Sequence, residues 1–328
     1  MANEINNNNL IVKSISISGT EYNSTQWNSA FTTLHTQSAG WGGTESNISP
    51  IISTFTLDLY PDGNAIWVKP AGAKRVKVTA VGGGGGGGSG EKDPSAGNTA
   101  RGGGGGGGGG HSSEIFNADD LTNTVLVSIG SGGMGGSNIS SGGSPGLAGS
   151  SSKFGSVLLA QGGAGGRANV STDLLQVILG GFGGAGDING SSGGSAAYDE
   201  LTGYDANDSY KSAAGGGFGG TRSSSSTIAP RYAGVNLRIF TATDAATADV
   251  SGKSVTDIYN LNDLSYYGGC GGGGGTAGNS TSTNGLPGKS GGLYGGGGGG
   301  GGGAVGSANA AGSGGAGAHG IVVVTTYF

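Results

Sequence analysis

The sequence predicts a mainly β protein with little helix: a small β-sheet plus packed polyglycine-II-type helices that carry long loops, preceded by a short N-terminal helix/strand segment. Three observations predict it. Glycine is 81 of 328 residues, against about 7% in ordinary proteins. It is gathered into runs, Gly82–Gly88, Gly102–Gly110, Gly271–Gly275 and Gly295–Gly303. The runs stand between short apolar segments that read as strands and long polar segments that read as loops.

The elements follow in chain order. Leu10 to Ile17 alternate in the manner of a strand. Trp27, Phe31, Leu34, Ser38 and Trp41 then recur at spacings of four and three, a helical stripe. The residues between them are weak helix formers, and so short a helix is marginal alone. It either packs against copies of itself or lies on a small core. Thr54–Leu59 reads as a strand and Tyr60-Pro61-Asp62-Gly63 as a turn. Ala65–Lys69 is extended, and Arg75–Val81 alternates strictly before entering the first glycine run. Further strands are expected at Ser113–Phe116, Thr124–Ile129, Ser156–Ala160, Leu174–Leu179 and Gly320–Tyr327. The β-branched run Ile321-Val322-Val323-Val324 is expected to pair near Arg75–Val81 and so close a sheet around the glycine-rich region. The natural division is 1–53 as an attachment or trimerisation segment and 54–328 as a glycine-rich domain.

Glycine loses the most backbone entropy on folding, so a run of nine either stays a flexible linker or orders by packing backbone on backbone. In the polyproline-II shape nine residues span about 28 Å. Lateral N–H···O bonds would satisfy the buried amides. The interruptions by Phe182, Phe218 and Leu293-Tyr294 favour the ordered form. Collagen is excluded by the absence of a strict Gly-X-Y period and by only 7 prolines.

Charged residues are only 11% and the net charge is −5, which argues against a nucleic-acid partner. Cys270, the one cysteine, lies in a glycine run and reads as a packing residue. Neither a signal peptide nor an apolar stretch of membrane-span length is apparent, so membrane insertion is not expected. Gly252-Lys253-Ser254 and Gly288-Lys289-Ser290 end like a phosphate loop, but the earlier glycine is replaced by Thr247 and Thr283. His35, His111 and His319 lack ligand spacing. Asp119-Asp120 and Asp199-Glu200 read as turns or caps. No catalytic residue, metal site or cofactor is therefore expected, and the chain reads as a non-enzyme.

The expected loops are 89–101, 137–152, 167–171, 187–214, 221–267, 276–293 and 305–312. Long ordered loops are usually functional. They hold Tyr198, Tyr204, Tyr210, Tyr232, Tyr259, Tyr266 and Tyr267, and tyrosine in a polar loop offers a ring face and a hydroxyl at low entropic cost. These seven are the candidate binding residues, although each ring could instead tuck against a scaffold poor in large side chains.

The segment Ala65-Ile-Trp-Val-Lys-Pro-Ala-Gly-Ala-Lys-Arg-Val-Lys-Val-Thr-Ala-Val before polyglycine resembles the entry to the glycine-rich domain of bacteriophage tail-fibre and tail-tip proteins. The likeness continues through Val125-Leu-Val-Ser-Ile-Gly-Ser-Gly-Gly-Met-Gly-Gly, Ser152-Lys-Phe-Gly-Ser-Val-Leu-Leu-Ala-Gln-Gly-Gly-Ala-Gly-Gly and Gly317-Ala-His-Gly-Ile-Val-Val-Val. Trp27–Trp41 is similar to short helical segments of phage fibres. The resemblance implies a virion protein, trimeric and extracellular, that binds a bacterial surface glycan or outer-membrane protein and contacts other tail proteins. The alternative is a purely structural tail or capsid appendage without receptor contact.

Overall fold

The computed structural model describes residues 52–57, 63–93, 99–137, 143–168, 178–196, 203–208, 212–222, 227–228, 233–234, 250–252, 254, 268–278, 284–306 and 309–328. The strands are β1 (Ile52–Leu57), β2 (Asn64–Val68), β3 (Arg75–Val81), β4 (Lys92–Asp93), β5 (His111–Asn117), β6 (Thr124–Ser128), β7 (Ser152–Phe154), β8 (Leu158–Ala160), β9 (Ser195–Ala196), β10 (Gly203–Tyr204), β11 (Thr221–Arg222), β12 (Thr227–Ile228), β13 (Ala304–Val305) and β14 (Ile321–Tyr327). The helical content of the described residues is one 3-10 turn at Ala118–Asp120. The protein is mainly β with almost no helix, as its sequence predicts.

Two four-stranded sheets, ordered β1-β14-β3-β5 and β2-β6-β7-β8, pack face to face. Period-two alternation decides which residues meet. Val76, Val78, Ala80, Val322 and Val324 of the first sheet face Trp67, Val125, Val127, Phe154, Leu158 and Ala160 of the second, all buried. Phe154 centres this core, with its ring centroid 5.5 Å from that of Trp67 and 6.5 Å from that of Phe116. The expected closure is present: β14 pairs antiparallel with β3 from Ile321↔Val81 to Tyr327↔Arg75.

Most sandwich strands run on into the glycine-rich segments. β3 leads into 82–90, β6 into 130–137 and β8 into 161–167, while 102–110 leads into β5, 144–150 into β7 and 312–320 into β14. In these segments the backbone bonds rotate with a period of three. Gly82, Gly85 and Gly88 donate to Gly110, Gly107 and Gly104; Gly83, Gly86 and Ser89 donate to Ser150, Leu147 and Ser144; Gly84, Gly87 and Gly90 donate to Ala318, Gly315 and Gly312, all at 2.8 to 3.0 Å. The same run accepts from Gly163 and Gly166, from Gly133 and Gly136, and from Gly298 and Gly301. It is thus surrounded by six segments, three to which it donates and three from which it accepts.

The same accounting holds for the other two long runs. Segment 102–110 bonds to 82–90, 161–167, 179–184, 191–194, 213–219 and 295–301. Segment 295–303 bonds to 82–90, 102–110, 214–220, 272–278, 286–292 and 312–318. Fully surrounded segments leave no direction for a side chain. A Cβ built on any glycine of 102–110 would fall within 3.0 Å of a neighbouring carbonyl, a separation real Cβ atoms essentially never show. Peripheral segments keep one outward direction, so every third residue carries a side chain: Ser131, Met134, Ser137; Gln161, Ala164, Arg167; Leu179, Phe182, Ala185. Met134 and Phe182 are 69% and 68% exposed.

Some expectations shift in detail. Arg75–Val81 is a strand over the expected residues. The single strand expected at Ser156–Ala160 is instead a hairpin, with Ser152–Phe154 paired to Leu158–Ala160 around Gly155 at φ 54°. Parts of the expected loops 137–152, 187–214 and 276–293 are rows of the array, since 144–150, 190–194 and 285–292 bond laterally to glycine segments. Their glycines recur only where the row faces inward, which disguises them as polar loops. The N-terminal strand and helical stripe, Tyr60–Asp62 of the expected turn and most of Leu174–Leu179 lie outside the described residues.

Candidate functional site

The array has two ends. At the near end it meets the sandwich, at Val81–Gly82, Gly110–His111 and Gly320–Ile321. At the far end most of its rows are joined by connections. Glu91 donates its N–H to Arg101 O, and Arg101 N donates back to Glu91 Oε2 at 3.1 Å. β13 pairs in parallel with β4 beside them, Ala304↔Lys92 and Val305↔Asp93. Gly102 N donates to Thr221 Oγ1 at 3.1 Å, which places the β11–β12 hairpin at this end. Ser89 Oγ accepts from Ser144 N at 2.8 Å, and Ser144 Oγ donates to Ser137 O at 2.8 Å, holding together the two ends of that connection. Arg167 N donates to Leu179 O, Gly278 N to Gly303 O and Gly285 N to Ala310 O, so three more connections start and finish there.

Of the seven candidate tyrosines, the backbone of Tyr204 is placed: it pairs with Ser195 in the β9–β10 hairpin, beyond Gly194. Tyr198, Tyr210, Tyr232, Tyr259, Tyr266 and Tyr267 lie outside the described residues. Their described flanks divide between the two ends. Ala196 and Gly203 flank Tyr198 toward the far end, whereas Tyr232 lies between Ile228 of β12 at that end and Gly234, whose N–H donates to Gly215 O back along the array. Ser254 and Gly268, which flank Tyr259, Tyr266 and Tyr267, stand at the near end. There Leu293 N donates to Ser254 Oγ at 3.0 Å, and Gly269 N donates to Tyr294 O at 2.8 Å. Tyrosine content alone could not have separated the two groups; the direction of each flanking glycine row could, because rows alternate in sense.

Of the residues weighed for chemistry, His35, Asp199, Glu200 and Lys253 lie outside the described residues, and others are placed as follows. Gly288, Lys289 and Gly291 donate their N–H groups to Ser313, Gly273 and Ala316, so these amides belong to the array and do not form a phosphate cradle. Cys270 is fully buried in a glycine row. The His319 ring lies edge-on to Tyr294 with centroids 5.6 Å apart, and its Nδ1 is 3.0 Å from Gly320 O. Asp119 and Asp120 sit in the 3-10 turn. Among the described residues no group of three or more His, Cys, Asp or Glu is gathered as metal ligands. No helix of the described residues is long and apolar enough to cross a membrane.

A β-sandwich continued by laterally bonded glycine rows defines a class of protein whose scaffold is largely backbone and whose rows are joined by connections at their ends. This chain belongs to the glycine-rich domain family, whose model matches residues 60–327. No curated protein sequence matches it.

Proposed function

We propose that the protein is a bacteriophage tail-fibre or tail-tip adhesin, non-catalytic, that binds a bacterial surface glycan or outer-membrane protein. In this reading the glycine rows are polyglycine-II-type helices, supported by their period-three bonding to six neighbours. The single observation that carries the reading is the gathering of connections at the far end of a backbone scaffold, away from the sandwich. Residues 1–53 attach or trimerise the protein, and residues 54–328 present the loops. β1 enters the sandwich at Ile52, opposite Tyr327, the end of β14 remote from the array. Attachment and presentation are then at opposite poles. Weak loop contacts repeated over a homotrimer would add through effective concentration.

The test is the binding of labelled, full-length protein to a panel of intact bacteria, with unlabelled protein as competitor. Saturable, strain-selective binding is expected. Tyr204→Ala is expected to weaken it without altering assembly, and Tyr266→Ala, from the near-end connection, to report whether that end takes part. Folded, oligomeric protein that binds no strain in a panel containing the host would favour the purely structural appendage.

A further inference from the structure

The long glycine rows cannot set their own register. In row 295–303, Gly298 and Gly301 donate to Gly85 and Gly88, Gly297, Gly300 and Gly303 donate to Ala214, Gly217 and Gly220, and Gly299 and Gly302 donate to Lys289 and Leu286. The row accepts with the same period, at Gly298 and Gly301 from Gly106 and Gly103, and at Gly296, Gly299 and Gly302 from Ala318, Gly315 and Gly312. A slide of three residues, about 9 Å in the polyproline-II shape, brings each glycine to the place of another. It remakes these bonds everywhere but at the ends of the row. The bonds alone therefore do not choose among the registers.

Rows that continue sandwich strands take their register from the sandwich. Three is odd, so a slide of three in 82–90 or 312–320 would turn Val76, Val78, Val322 and Val324 from the core to the opposite face. Row 295–303 continues none of these strands. It is entered from row 286–292 through Leu293-Tyr294 and leaves into the two residues of β13. Tyr294, 2% exposed, is seated with Val81, Ala213, Ile321 and Val323, on the face of the first sheet away from the sandwich core, and Leu293 packs against this cluster. A slide toward the far end would carry Leu293 and Tyr294 to the places of Gly296 and Gly297. Even a Cβ there would fall within 3.0 Å of Cys270 O and Gly106 O. A slide toward the near end would carry Ala304 and Val305 to the places of Gly301 and Gly302, within 3.0 Å of Gly312 O and Thr276 O. Ala304 and Val305 are themselves buried where they pair with Lys92 and Asp93.

We propose that Leu293-Tyr294 and Ala304-Val305 are positioning residues, a stop at each end of the run Gly295–Gly303, which fix the register of that row and so place β13 at the far end. The run just fills the interval between the stops. Without them, a slide would move Ala304 and Val305 about 9 Å along the axis, off Lys92 and Asp93, and take the connection that follows with them. The register acts in the same way whether or not the far end contacts a receptor.

The test is the removal of one glycine from the run in the full-length protein, read as Tm by calorimetry in four backgrounds. In the parent, and in Tyr294→Phe, which keeps the ring, the shortened run cannot reach both stops. A fall of at least about 5 °C is expected, the scale of an emptied aromatic seat in a domain this large. In Leu293→Gly/Tyr294→Gly the run extends back to Gly291, and in Ala304→Gly/Val305→Gly it extends forward to Gly306. Either change lets an adjoining glycine enter the row, and the fall caused by the deletion is expected to be less than half that in the parent. Each fall is taken against the same background without the deletion, so the stability lost with the side chains themselves cancels. The two released backgrounds act at opposite ends, and if one fails to fold the other decides. A deletion that leaves the Tm of the parent unchanged overturns the proposal. An equal fall in the parent and a released background overturns it as well, since side chains that only pack would add their cost independently.

Discussion

Gly107→Ala tests whether the array is a close-packed solid or a set of loosely associated chains. Gly107 sits in a fully surrounded row, donates to Ala164 O at 2.9 Å and accepts from Gly85 N at 2.8 Å. A Cβ there would come within 3.0 Å of Phe182 O, Phe182 C and Gly181 O, all backbone atoms that cannot rotate aside. Row 179–185 would have to retreat until the contact reached at least 3.4 Å, the lower limit of ordinary packing. That movement strains the bonds by which the row is held, Gly181 N to Gly105 O, Gly184 N to Gly108 O and Ala164 N to Phe182 O. At about 1 kcal/mol for each, their weakening costs about 2–3 kcal/mol. The alanine also restricts the unfolded chain, an opposing gain of about 0.4–1 kcal/mol. The net loss is about 1–3 kcal/mol, or a fall in Tm of about 2–5 °C at the scale of a domain this large. Met134→Ala, on an exposed outward position, is the control and is expected within about 0.5 kcal/mol of the parent. Calorimetric scans of the two variants check this. A Gly107→Ala protein that melts with or above the parent would refute close packing, because the unfolded-state gain would then be the only effect left.

Two further substitutions probe the sandwich and its junction with the array. Ser152 is buried and bridges the two: its Oγ donates to Val81 O at 2.6 Å and accepts from Gly130 N at 3.0 Å. Ser152→Ala orphans the Gly130 N–H and removes the side-chain bond to Val81 O, and a loss of about 1–3 kcal/mol is expected in denaturant unfolding. Phe154→Ala empties the centre of the core between Trp67 and Phe116 and is expected to cost about 3–5 kcal/mol by the same measurement.

The strands were legible because alternation is a local signal. Val76, Val78 and Ala80 point into the core in the phase the sequence shows, and the valine run of β14 marks a strand buried between β1 and β3. The glycine runs were legible as an ordered scaffold for a similar reason, since 82–88, 102–110 and 295–303 lack any side chain that could bury itself elsewhere. What escaped was the outer layer of the array. In Ser144-Pro-Gly-Leu-Ala-Gly-Ser150, glycine returns every third residue, at 146 and 149, and the intervening residues look like a loop. The signal was present, but it is a period of three, neither the two of a strand nor the 3.6 of a helix. The candidate tyrosines were chosen by residue type, which carries no information about the end of the array from which each connection leaves.

The length of a glycine run is a readout of position in the cross-section. A row with six neighbours has no free direction, and the three rows shown to have six are 82–90, 102–110 and 295–303, where side chains are absent or, at Ser89, small and buried. A row at the surface needs glycine only where it closely faces its neighbours, at two positions in three in 130–137 and at one in three in 144–150, and is free at an outward third position. That third position then has its own task. Were Met134, Leu147 and Phe182 all glycine, the outer rows would present the same bare backbone as the inner ones, and nothing would distinguish the edge of the array from its centre. Side chains there stop another row from approaching to bonding distance, as inward charges and bulges stop the growth of a sheet. The interruptions in the glycine pattern are therefore as necessary as the runs, since the runs build the solid and the interruptions give it a boundary.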